Sequence, residues 1–209
     1  MHSVMTLSGD PDDLSLLRSR FSPPDNEVPA AVGVSGVIAR SDDVAILLVG
    51  LARYTAGLQI DLAIRRRLDP DEQDPMHMTY NAGLLVGVEL ADGRTVVSGY
   101  GYGYGDRSTA PAAGEPVLTH RNGGGGGREW SSSLWLTPAP PPGDLVVVVA
   151  APNLGVDESA VTVPAEALRA AAGKTEVLWP REPDRVHDAV PPPTPDVPPG
   201  SWFARALSG

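Results

Sequence analysis

Three short stretches carry the residues of this chain best suited to chemistry. The first is THRNGGGGGREW, residues 119–130, in which five glycines run between Asn122 and Arg128. Backbone amides freed of side chains can wrap a phosphate, and Arg121 and Arg128 would flank it as counter-charges. A Walker-type loop, however, ends its glycines in Lys followed by Ser or Thr and opens a helix whose amides face the phosphates. Here the glycines end in Arg128-Glu129, and the following WSSSLWL reads as a strand. The run is therefore expected to be a flexible connection, with Arg121 and Arg128 as candidate anion or ligand contacts. The second stretch, SGYGYGYGD, alternates Tyr100, Tyr102 and Tyr104 with glycine. If extended, it lines three phenol rings along one face, where they can stack sugars or bases or shield their own glycine-thinned sheet. The third, DPDEQDPMHM, offers Asp69, Asp71, Glu72 and Asp74 as hard oxygen donors and His77 between Met76 and Met78 as a softer set. It lacks the glycine and terminal glutamate of a calcium loop, and it reads as a turn whose acids offset Arg65, Arg66 and Arg67.

Other catalytic constellations fall short by spacing. Ser35 in GVSGV lacks the G-x-S-x-G elbow, and IARSDD follows it instead of a helix. His2, His77, His120 and His187 occur singly, never at the i, i+4 spacing that sets two imidazoles on one helical face, and they read as surface histidines in arms or loops. With no cysteine, thiolate nucleophiles, disulfides and cysteine zinc sites are excluded. No catalytic residue, metal ligand or cofactor is assigned.

These stretches must be held by something, and the dominant period along the chain is two. In LQIDLAIR, Leu58, Ile60, Leu62 and Ile64 share one face, with Gln59, Asp61, Ala63 and Arg65 on the other, as in a half-buried antiparallel strand. The preceding DVAILLVGLAR joins it through YTAG as a hairpin. In LLVGVELADGRTVV a two-residue Asp92-Gly93 turn would pair Leu90 with Thr95 and Val88 with Val97. AAVGVSGVIA, WSSSLWL, DLVVVVAA, SAVTV and EVLW add further strands, and PAEALRAAAG is the one strong helical segment of the core region. The predicted fold is mainly β: an antiparallel β-sandwich, immunoglobulin-like in general architecture, with one short helix and flexible N- and C-terminal arms. Its expected division is an N-terminal arm over 1–27, a sandwich domain over 28–180 and a Pro-rich tail over 181–209.

At 209 residues and 42% apolar composition the chain can bury a sizeable core. Its net charge of -10 repels a phosphate backbone, so nucleic acid is not an expected partner. No stretch reaches the ~18 apolar residues of a membrane span, and no leader-like start is seen, which makes no membrane and a cytoplasmic location the expectation. The segments PPDNEVPAAV, ARSDDVAILLVGLARYTAGLQIDLAIRRR and GGGGGREWSSSLWLTPAPPPGDL resemble a group of β-rich proteins from high-GC actinobacteria, over residues 22 to about 180. The resemblance implies no activity, cofactor, partner or residue role.

The tail reads REPDRVHDAVPPPTPDVPPGS and then SWFARALSG, a polyproline-prone spacer ahead of Trp202, Phe203 and Leu207. Such an ending either docks on a partner or folds back on its own domain. The expected function is a non-catalytic protein-interaction or scaffold module with a protein partner. The alternative is a small-ligand or carbohydrate-binding domain, or an enzyme, built on Tyr100, Tyr102, Tyr104 and the Gly123 to Gly127 segment with Arg121 and Arg128.

Overall fold

Alternating strands with one apolar face must bury that face against another sheet, and here two sheets do so. In a computed structural model of the protein, residues 20–69, 83–98 and 114–182 are described. The strands are β1 (Glu27–Val28), β2 (Ala30–Val32), β3 (Gly36–Arg40), β4 (Val44–Arg53), β5 (Leu58–Arg66), β6 (Leu85–Glu89), β7 (Thr95–Val97), β8 (Val117–Gly126), β9 (Glu129–Thr137), β10 (Leu145–Ala151), β11 (Val156–Val163) and β12 (Glu176–Val177). An α-helix, α1 (Ala165–Ala172), follows β11, and a short 3-10 turn, Pro152–Leu154, links β10 to β11. The first sheet runs β8-β9-β5-β4, and β3 and β2 share the far edge of β4; the second runs β11-β10-β6-β7. Among the described residues every strand pairing is antiparallel.

The predicted alternation in β5 holds: Leu58, Ile60, Leu62 and Ile64 are at most 1% exposed. They share one core with Leu134 of β9 and with Val88, Val147 and Val149 of the second sheet. β3 lies over β11 on one side of the stack and β7 over β8 on the other. The proline-led helix α1 packs on β2 and β4, and the side chain of Asp144 accepts the Ala165 N–H at 2.8 Å, satisfying an amide that the helix start leaves open.

Four expectations change. AAVGVSGVIA breaks at Gly33–Ser35 into β2 and β3. The β6–β7 hairpin pairs Glu89 with Thr95 and Val88 with Val96, one residue away from the predicted register. The turn is longer than two residues: Leu90 N–H donates to the Arg94 carbonyl, Gly93 N–H to the Leu90 carbonyl, and Gly93 adopts φ +81°. That left-handed glycine adds a residue to the loop, and a one-residue slip turns Val96 inward and leaves Val97 65% exposed. The N-terminal arm expected over 1–27 is, from Arg20 onward, tied to the sandwich: Pro24 and Asn26 are buried. Finally, Gly123–Gly126 are not a loop but the second half of β8, and the turn is only Gly127-Arg128.

Candidate functional site

The β8–β9 hairpin brings together most of the described site residues, so its local logic comes first. From Asn122 to Gly126, β8 pairs residue by residue with Ser133 to Glu129. A Cβ on Gly125 would run into the Glu129 carbonyl, and one on Gly123 would lie 2.9 Å from the Ser131 carbonyl oxygen and 3.1 Å from the Trp130 indole. Glycine is required at these two positions because another backbone and an aromatic ring occupy the space of a side chain. At Gly124 and Gly126 a Cβ would meet nothing within 4 Å. The run is thus a thinned strand with Trp130 against it, the aromatic cover for glycine that the sequence suggested for the tyrosines.

Arg121 and Arg128 do not converge. They stand at opposite ends of the glycine segment, about 20 Å apart along the strand at ~3.3 Å per residue. Arg128 donates to the Asp69 carboxylate at 2.9 Å, and this contact holds the Asp69 carboxyl below its ordinary range. Arg65 pairs with Glu129 and Arg67 with Asp43, while Asp69 offsets Arg128. Arg121 donates to the Phe21 carbonyl at 3.3 Å.

Beside Arg121 the outward face of the first sheet carries a polar cluster that sequence reasoning missed. The Asp61 carboxylate accepts from Ser133 Oγ at 2.5 Å and from Gln59 Nε2 at 3.0 Å. Tyr54 stands edge-on to the fully buried Trp135, with ring centroids 5.4 Å apart. Burial pushes the Tyr54 phenol above its ordinary value; Asp61 and Glu27 add to this, and Arg121 opposes it. Glu27 takes the N–H and hydroxyl of Thr55. The signal was the strict alternation of β5, which put Gln59 and Asp61 on the outer face, but nothing in the sequence announced that β9 would set Ser133 opposite Asp61. With these donors already on it, Asp61 is a structural acceptor. An open polar depression of about 200 Å³ lies alongside, lined by Asn122, Gly123 and Ser131 to Ser133.

His120, expected as a surface side chain, instead faces the core side of β8. It sits opposite the buried Leu134, and its ring stacks near Trp130 at 6.3 Å. Burial lowers its pKa. Among the described residues no group of three or more His, Cys, Asp or Glu side chains is placed to hold a metal, and no helix is long and apolar enough to cross a membrane. Tyr100, Tyr102, Tyr104, Asp71, Glu72, Asp74, His77, Trp202, Phe203 and Leu207 lie outside the described residues.

A second feature was not singled out in advance. β1 and β12 form a separate two-stranded ribbon, fastened to the first sheet where Thr175 Oγ donates to the Arg53 carbonyl. Asn26 holds it internally, accepting the Leu178 N–H and donating to the Trp179 carbonyl at 2.9 Å. Four large apolar residues on this ribbon and just after it face solvent: Val28 at 45%, Val177 at 54%, Leu178 at 45% and Trp179 at 58% exposure. Val28 stands opposite Glu176 and Val177 opposite Glu27, so the two strand valines lie on opposite faces, and Leu178 and Trp179 follow directly after β12. Of the strand expected over EVLW only Glu176–Val177 pairs, and its exposure was not legible in the sequence. Comparison with known proteins yields no match to a family model, a curated protein or a solved structure.

Proposed function

We propose that this protein is a non-catalytic interaction module that presents the β1–β12 ribbon to a protein partner. The observation that supports the reading is the exposure of Val28, Val177, Leu178 and Trp179, each at least 45% exposed on or next to a ribbon that Asn26 ties together. Apolar surface left in water costs about 25 cal/mol per Å², and tryptophan is among the residues that most often carry binding energy at interfaces. Because the ribbon is held by backbone and Asn26 hydrogen bonds, little ordering is required when it docks.

A photo-reactive residue at position 179 of the full chain tests the reading in cells. A discrete adduct at 179, absent when the same group is placed at the exposed Glu158 and lost with Leu178→Ser, is the expected result. Equal labelling at 179 and 158 would refute it.

A further inference from the structure

The function proposed above makes no use of His120, whose placement has a cost that neutral packing hides. Its Nε2 atom is buried with no hydrogen-bond partner among the described residues. The nitrogen sits over the backbone of Gly123, 3.1 Å from where a Cβ would lie, and the ring is stacked near Trp130 at an interplanar angle of 23°. A neutral imidazole tolerates this position, since one of its nitrogens carries only a lone pair. An imidazolium does not, because its Nε2–H would be a charged donor sealed from water and without an acceptor.

We propose that His120 is an acid-sensitive latch: neutral, it closes the β8–β9 seam of the sandwich, and on protonation it must leave the seam and loosen β8.

Among the described residues the surroundings offer the charged ring little compensation. On β9 its neighbours Trp130, Ser132 and Leu134 carry no charge, and Glu129 at the start of that strand is paired with Arg65. β7, which lies against β8, contributes Thr95, Val96 and Val97; Arg94 ahead of it binds Asp92 and the Gly114 carbonyl. On β8 itself Arg121 is cationic and donates to the Phe21 carbonyl, while Arg20 reaches the Glu115 carbonyl. Trp130, stacked with ring centroids 6.3 Å apart, carries no charge and offers no lone-pair acceptor to the ring. Burial alone accounts for the depressed basicity of the ring.

The direction of the pH effect follows. The folded chain binds the His120 proton less readily than the unfolded chain, so stability is intact above the ordinary histidine pKa of about 6.5. It is lost as the pH falls through that value toward the lower folded one.

Hydrogen exchange on the full chain, corrected for intrinsic rates, at about pH 7.5 and about pH 5, reads the latch directly. Protection of β8 and β9 amides should drop several-fold at the acid pH relative to β4 and β5, and His120→Phe should remove that difference. No selective drop in the parent chain, or an equal drop in His120→Phe, would overturn the proposal. Should His120→Phe fail to fold, titration of the His120 ring by NMR in the parent chain decides: an apparent pKa below the ordinary value supports the latch, and one at or above it refutes it.

Discussion

β5 and β8 flank the same strand, β9, yet they are held by different physics. β5 is written as strict alternation, and its four inward residues are sealed from water. β8 begins in the same way, with Leu118 buried opposite Leu136, and then runs into glycines that have no side chain to bury. Glycine gives no preference for a strand and loses the most backbone entropy on being fixed in one. What holds the second half of β8 is its neighbour: the ladder to β9, whose backbone fills the space a side chain at Gly125 would need and whose Ser131 carbonyl and Trp130 indole fill it at Gly123. A strand can thus be specified from its own sequence or imposed by its partner, and in this molecule β9 does the imposing.

The largest test of that contrast is Ile60→Ala. It should cost about 2–5 kcal/mol in chemical denaturation, because the side chain is fully buried between the sheets. A loss below ~1 kcal/mol would mean that β5 is not self-specified. Gly125→Ala should come next, at about 1–3 kcal/mol, since the new methyl meets the Glu129 carbonyl and the strand must shift to admit it. Gly124→Ala sharpens the point from the other side: with open space at that position, stability should stay within ~1 kcal/mol and move toward stabilisation. Equal penalties at 124 and 125 would show that the hairpin needs glycine throughout, not at alternate positions. The smallest effect belongs to Arg128→Gln at the hairpin tip. Its exposed pair with Asp69 adds little to stability, so unfolding should scarcely change while the Asp69 carboxyl, followed by NMR, rises toward its ordinary pKa.

Much of the framework was legible residue by residue. Leu58 to Ile64 announced their facing, YTAG its hairpin and PAEALRAAAG its helix, because in each a local period or turn chemistry repeats often enough to outweigh accident. The β6–β7 register was not, since ADG supports either a two-residue turn or a longer one closed by a left-handed glycine, and only packing Val96 into the core separates them. The candidate sites were less legible still. Arg121 and Arg128 looked adjacent across a loop and are separated by a strand; Asp61 and Ser133 are 72 residues apart in the chain and 2.5 Å apart in space.

By itself the sequence determined the class of the protein: alternating apolar residues dictate half-buried strands, the short turns make them antiparallel, and two such sheets have no other way to cover their faces. Three things were decided only by tertiary structure. The glycine run became a strand because the β9 backbone supplied hydrogen-bond partners that no local signal encodes. His120 entered the seam because parity along β8 set it opposite Leu134, on the core side. Val28, Val177, Leu178 and Trp179 were left in solvent because, among the described residues, the β1–β12 ribbon pairs only with itself and neither it nor the two residues after it lie under a second sheet. Burial is a property of what lies across from a residue, and a chain read in order does not contain that distance.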